Sequence, residues 1–272
     1  MIEFNQNDLP AQDEELRWGL GDVAIGIFAS LFLSVLIGGT IMALAGWGSS
    51  ADTPIWGLAL LQIPLWAGYL GAVVFAGSKG RGVITDFGLR MRAFDAPLGL
   101  ALGIFCQLLV LPLLYAPIFF LTGTDKEALS RPAEQLAEGT DGTFSWLLFA
   151  LLVGILAPVV EELFYRGLLL KALEKRRMPV WAADLVAKLL SSRGGLFSHL
   201  EKRRMPVWAA VLVSSVIFAG MHMQTLQFPG LLLVGLVAGT LAAITGRLGP
   251  SIWLHIGFNM TTVVALFMAM RS

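Results

Sequence analysis

Long apolar runs alternate with short charged connections along this chain. Six stretches, 23–51, 53–78, 96–124, 142–160, 205–246 and 248–270, contain no Asp, Glu, Lys or Arg. A helix that crosses a bilayer needs about 20 apolar residues, so each run is of spanning length. The stretch 205–246 is long enough for two, and His222-Met223-Gln224 through Phe228-Pro229-Gly230 places polar and turn-forming residues where a break would fall. The pattern predicts an all-α, polytopic transmembrane helical bundle of about seven or eight spans. Composition agrees, with 56% hydrophobic and 14% charged residues, far from a soluble domain. Residues 1–19 form an acidic tail carrying Glu3, Asp8, Asp13, Glu14 and Glu15. It has no basic n-region, so the first span is expected to stay attached.

Orientation follows from the basic residues of the loops. Loop 78–97 holds Lys79, Arg81, Arg90 and Arg92, and segment 171–206 holds nine basic residues against three acidic ones. Both are expected to be cytoplasmic. Loop 122–144, with two basic and five acidic residues, suits the outer face, and the N-terminus is then cytoplasmic. The net charge of zero gives no sign of nucleic-acid binding. The single cysteine, Cys106, lies within a span and cannot form an internal disulfide; it reads as a small buried hydrophobe.

One segment is duplicated. Glu174–Ala183 and Glu201–Ala210 both read EKRRMPVWAA, and Arg166–Ala183 matches Arg193–Ala210 at 14 of 18 positions. Two copies do not make a solenoid, which generally needs three or more. The second copy continues into the apolar run Val211–Ile217, whereas the first has Asp184 and Lys188 at the matching places. A charge at the bilayer centre costs about 2.5–3.5 kcal/mol, so the first copy is expected to stay out of the core as a duplicated cytoplasmic insert over about 174–204. Leu185, Val186, Leu189 and Leu190 would face the membrane surface. His199, in the same segment, reads as a solvated loop residue. Residues 20–272 otherwise form one transmembrane domain.

Away from the loop edges, the charges embedded in apolar helix are Glu161, Glu162 and Arg166. Intramembrane charges are expensive and mark function by default. Glu162 and Arg166, at i and i+4, can form a structural ion pair, which leaves Glu161 unexplained. His222 lies in an apolar run, and His255 and Asn259, four apart, share a helix face. An antiparallel hairpin turning near Met178 and Met205 brings Glu162 and His222 level. His255 reaches that level only if the helix of Glu162 continues well beyond the membrane surface.

Glu-Glu-x-x-x-Arg at 161–166, Phe-x-x-x-His at 218–222 and His-x-x-x-Asn at 255–259 occur in order on three apolar helices. Together they resemble the CPBP family of CAAX proteases and bacteriocin-processing enzymes, also called the Abi family, with Asp86-Phe87-Gly88-Leu89-Arg90 resembling the loop before its core helices. The 27-residue insert between the first two motifs departs from the family pattern. The resemblance implies an intramembrane endopeptidase without metal or cofactor. Its substrate would be a peptide or lipid-modified peptide met within membrane lipid, and a prokaryotic plasma membrane is the expected location. It further implies that Glu161 is the base, that His222 holds the attacking water, and that His255 and Asn259 form an oxyanion hole, with Arg166 and Glu162 as orienting partners; which of the two glutamates is the base stays open. Two His and a Glu are also a zinc-hydrolase ligand set, although His-Glu-x-x-His is absent and Asn259 is a poor zinc ligand. No Gly-x-Ser-Gly supports a serine protease. A non-catalytic protein of the same fold, with a transport, immunity or scaffold role, also accommodates buried carboxylates on Gly-rich helices. The sequence leaves the oligomeric state unassigned.

Overall fold

The structure, a computed structural model, describes residues 17–49, 52–125, 127–140, 142–176 and 205–270. The acidic tail through residue 16, and the interior of the duplicated insert with its surface helix and His199, lie outside the described residues. Among the described residues the chain is helical: α1 Leu20–Ala45, α2 Ile55–Ser78, the single turn α3 Val83–Asp86, α4 Asp95–Thr122, α5 Glu127–Ala137, α6 Gly142–Lys175, α7 Val207–Met221, α8 Phe228–Thr245 and α9 Gly249–Ala269. Six of these (α1, α2, α4, α6, α8 and α9) are long and apolar enough to cross a membrane, and α7 is a shorter apolar helix. The expected polytopic helical bundle is therefore observed. The run 205–246 divides into α7 and α8 where the polar break was expected.

Local chemistry sets the boundaries. Pro54 and Pro206 stand just before α2 and α7, and Pro229 and Pro250 lie in the first turns of α8 and α9, where a missing N–H costs nothing. Gly246 ends α8 with φ +67°, a left-handed cap that a Cβ would strain. Wide π turns interrupt α4 at Cys106–Val110 and α6 at Ala150–Leu156 and Leu163–Leu169. Cys106 is buried, as expected.

Two ends of the bundle can be told apart by their contacts. At one end, Asp22 of α1 pairs with Lys79. Trp18 donates to Asp86 at 3.2 Å, and Lys175 at the end of α6 donates to the Trp18 carbonyl at 3.0 Å. Arg247 grips Asp95 through two hydrogen bonds of 2.6 and 3.0 Å. Gly88 holds φ +70° and its carbonyl accepts from Leu248 N at 2.8 Å, which docks the Asp86–Arg90 loop against the start of α9. Here too Met205 N donates to the Arg176 carbonyl at 2.9 Å. The basic loop 78–97 and the described ends of segment 171–206 thus share one end of the bundle. The amphipathic helix α5 lies at the opposite end, where Gln227 donates to the Leu129 carbonyl and Tyr115 to the Leu226 carbonyl.

Helix α6 runs through the centre. Every residue from Glu162 to Leu170 is buried, and Phe164, Tyr165 and Leu168 pack with Phe87, Phe218, Leu248 and Ile252 in the main core. The space beside Gly167 is closed by Phe87 and Leu248, so the last two turns of α6 extend past the start of α9. That is the extension His255 needs to reach the level of Glu162. The most intimate helix pair is α4 with α9, built on Gly99 and Gly103. A Cβ on Gly103 would run into the Leu254 carbonyl, so backbone meets backbone, as small-xxx-small pairs permit in membranes. This contact fixes the helix that carries His255 and Asn259.

Candidate active site

The site assembles where α6, α7 and α9 meet. Adjacent residues on a helix point about 100° apart, so Glu161 and Glu162 have different surroundings. Glu162 turns inward with Arg166, and both side chains are fully buried. Its Oε1 accepts from Arg166 Nη1 at 2.8 Å and bonds to His255 Nδ1 at 2.9 Å. Glu161 turns toward a cavity, its side chain 20% exposed, and its Oε2 lies 3.7 Å from His255 Nε2 and 4.0 Å from His222 Nε2. Asn259 lies one turn beyond His255 and donates Nδ2–H to the Val153 carbonyl at 2.9 Å, within the π turn of α6. The structure therefore brings all six sequence-nominated residues, Glu161, Glu162, Arg166, His222, His255 and Asn259, into one cluster.

Hydrogen bonding fixes ring orientation. His222 Nδ1 lies 2.8 Å from the Phe218 carbonyl. A carbonyl only accepts, so in the neutral ring the proton is on Nδ1 and Nε2 presents a lone pair toward Glu161. Two acceptors 4.0 Å apart are joined favourably only by a donor between them, and a water with two O–H groups fits that role.

Phe218 is the hub that the motif pattern did not explain. The Arg166 guanidinium carbon sits 4.3 Å from the centre of its ring, a cation–π contact favoured by the absence of water. The same ring meets His222 edge-on at 4.8 Å, His255 at 5.7 Å and Tyr165 at 5.2 Å. Behind it the Tyr69 and Tyr165 hydroxyls bond each other at 2.8 Å. One residue thus steadies the guanidinium and both imidazoles, which accounts physically for Phe at the position one turn before His222.

Glu161, His222, His255 and Asn259 line a cavity of about 330 Å³. Its roof is α5, through Leu129, Pro132, Ala133 and Leu136, and Trp66 and Gln62 of α2 form a side wall. Sequence reasoning missed this roof by treating 122–144 as a loop. The signal was the spacing of Leu129, Ala133 and Leu136 at i, i+4 and i+7. Among the described residues, no group of three or more His, Cys, Asp and Glu is arranged to hold a metal ion.

The family model of Rce1-like type II CAAX prenyl endopeptidases matches residues 143–192 and 189–261, two segments that meet within the duplicated region. No curated protein and no solved structure matches the chain. The matched residues carry all three motifs and the whole cluster, and over them the chain is similar to the Rce1-like type II CAAX prenyl endopeptidases.

Proposed function

We propose that this Rce1-like chain hydrolyses a peptide bond within or beside the membrane, using a water held between Glu161 and His222. The reading is carried by the facing acceptors, Glu161 Oε2 and His222 Nε2, at 4.0 Å on the wall of a cavity. A water bridging them gives one hydrogen to each and turns a lone pair outward. Glu161 takes the water proton as oxygen attacks the carbonyl carbon, and it later returns that proton to the amine as the C–N bond breaks. The tetrahedral oxygen is received by His255 and by the second Nδ2 hydrogen of Asn259, the first being held by Val153. For His255 to donate through Nε2 while Nδ1–H faces Glu162, the ring must be doubly protonated. That state balances the cluster, with two carboxylates against one guanidinium and one imidazolium. Donors aimed at a developing oxyanion contribute about 2.7–4 kcal/mol each.

In this reading Glu162 is a positioning residue, since its side chain is fully buried and its Oε1 is held by Arg166 and His255. The Lys and Arg excess at the basic end of the bundle supports a cytoplasmic position for that end and, with it, for the N-terminus. The test is cleavage of fluorogenic peptides ending in a CAAX sequence, with and without a farnesyl group on the cysteine, by purified protein in nanodiscs. Glu161→Gln is expected to remove turnover while the melting temperature stays near wild type. A Glu161→Gln protein that cleaves at the wild-type rate removes Glu161 from the base role.

A further inference from the structure

A second cavity of about 250 Å³ adjoins the first beneath α5, and the two share Leu129, Ala133, Leu231, Gln224, Gln227 and Thr262 as wall residues. Its far wall is α4, through Gln107, Leu111 and Tyr115, and the start of α8 at Gly230. The polar groups here differ in what they already do. Tyr115 is committed, donating to the Leu226 carbonyl at 2.6 Å and accepting from Gly230 N at 3.2 Å. Gln107 is not: its Oε1 is fully buried with no hydrogen-bond partner among the described residues. Gln107 sits near the middle of α4, in the π turn Cys106–Val110, far from either end of a spanning helix.

On α9, His255, Asn259 and Thr262 fall at i, i+4 and i+7 along one face, and all three line the first cavity while Thr262 also lines the second. A polar track therefore leads from the candidate active site toward Gln107. A hydrocarbon chain offers the amide and hydroxyl groups along this track no hydrogen bond. A polypeptide in the same place brings its own N–H and C=O groups, each of which needs a partner at membrane depth. We propose that the second cavity is a peptide subsite, taking the polypeptide backbone on one side of the cleaved bond with Gln107 and Thr262 as its hydrogen-bonding partners. This rests on the endopeptidase reading of the first cavity, and it makes the occupant there a peptide instead of a lipid tail.

The test compares wild type with Gln107→Met and Thr262→Val, both near-isosteric and apolar, on CAAX-ending fluorogenic peptides shortened stepwise on either side of the cleaved bond. For the full-length peptide KM is expected to rise about tenfold in each variant, the loss of about one hydrogen bond, with kcat changing less. Shortening the peptide on one particular side should abolish the KM difference between variant and wild type. Equal KM values for full-length peptide, or a difference that persists for every shortened peptide, overturn the subsite. So does tighter binding of a farnesylated peptide by Gln107→Met, the sign expected for a hydrocarbon occupant. Anisotropy of the same peptides bound to the Glu161→Gln background repeats the comparison without turnover, so the cavity is tested even if the catalytic reading fails.

Discussion

Removing one repeat unit, residues 174–200, joins Leu173 to Glu201 and rebuilds EKRRMPVWAA once between α6 and α7. The structure indicates how the ends will meet. Arg176 O and Met205 N are already 2.9 Å apart, although 28 residues, 177–204, separate them in the chain. After deletion, Arg203 stands in the place of Arg176, and Arg204 alone separates it from Met205. The same hydrogen bond then becomes the i to i+2 closure of a three-residue γ-turn. Held at both ends, a closed segment of that length costs roughly (3/2)RT ln n, about 3 kcal/mol, and the short turn takes back part of this gain. The deletion variant is therefore expected to melt at or above the wild-type temperature in detergent, with kcat/KM within about threefold of wild type, because none of the six clustered residues moves in register. Thermal melting and peptide cleavage in nanodiscs measure both quantities. A variant that is inserted and folded yet cleaves no substrate of the full-length protein refutes the reasoning and puts the insert in the site.

Three further outcomes are expected. Arg166→Met leaves the buried Glu162 without its guanidinium partner and should lower stability by about 3–5 kcal/mol, while adding Glu162→Gln should restore much of it; unfolding free energies that show no such recovery contradict the pair. Asn259→Ala should cut kcat by about 10²-fold or more with a smaller effect on KM if its amide meets the oxyanion, and an unchanged kcat takes it out of the site. EDTA and phenanthroline should leave cleavage intact, since Glu161 and His222 activate water without a cation in this mechanism, whereas loss of activity restored by zinc favours the metal reading.

The spans were legible because lipid leaves the backbone few options, and each charge-free run covers most of an observed apolar helix, although α6 runs on past its own through Glu161 to Lys175. The three charges embedded in apolar sequence within α6, Glu161, Glu162 and Arg166, were legible for the same reason, since nothing but function or pairing offsets them. What the sequence could not divide was the labour of Glu161 and Glu162: neighbours in sequence differ only in which way the helix turns, and only packing shows that Glu162 faces Arg166 and Glu161 faces a cavity. Helix α5 was hidden because its apolar stripe is embedded among acidic residues that dominate a charge count. Gln107 escaped notice because it carries no charge to make its depth conspicuous. The role of Phe218 was invisible because an aromatic residue in an apolar helix is ordinary until a guanidinium lies on it.

The i, i+4 placement of Glu162 and Arg166 also bears on how the protein is made. Helix α6 carries three charged residues into lipid, each costing about 2.5–3.5 kcal/mol at mid-depth if unpaired. His255, which completes the cluster, is synthesised 93 residues after Glu162, roughly 5–20 s later at ordinary translation rates. During that interval the imidazole does not yet exist. Because the guanidinium lies on the same helix, Glu162 has its counter-charge from the moment α6 leaves the ribosome, and α6 can enter the bilayer and wait there for the helix that finishes it.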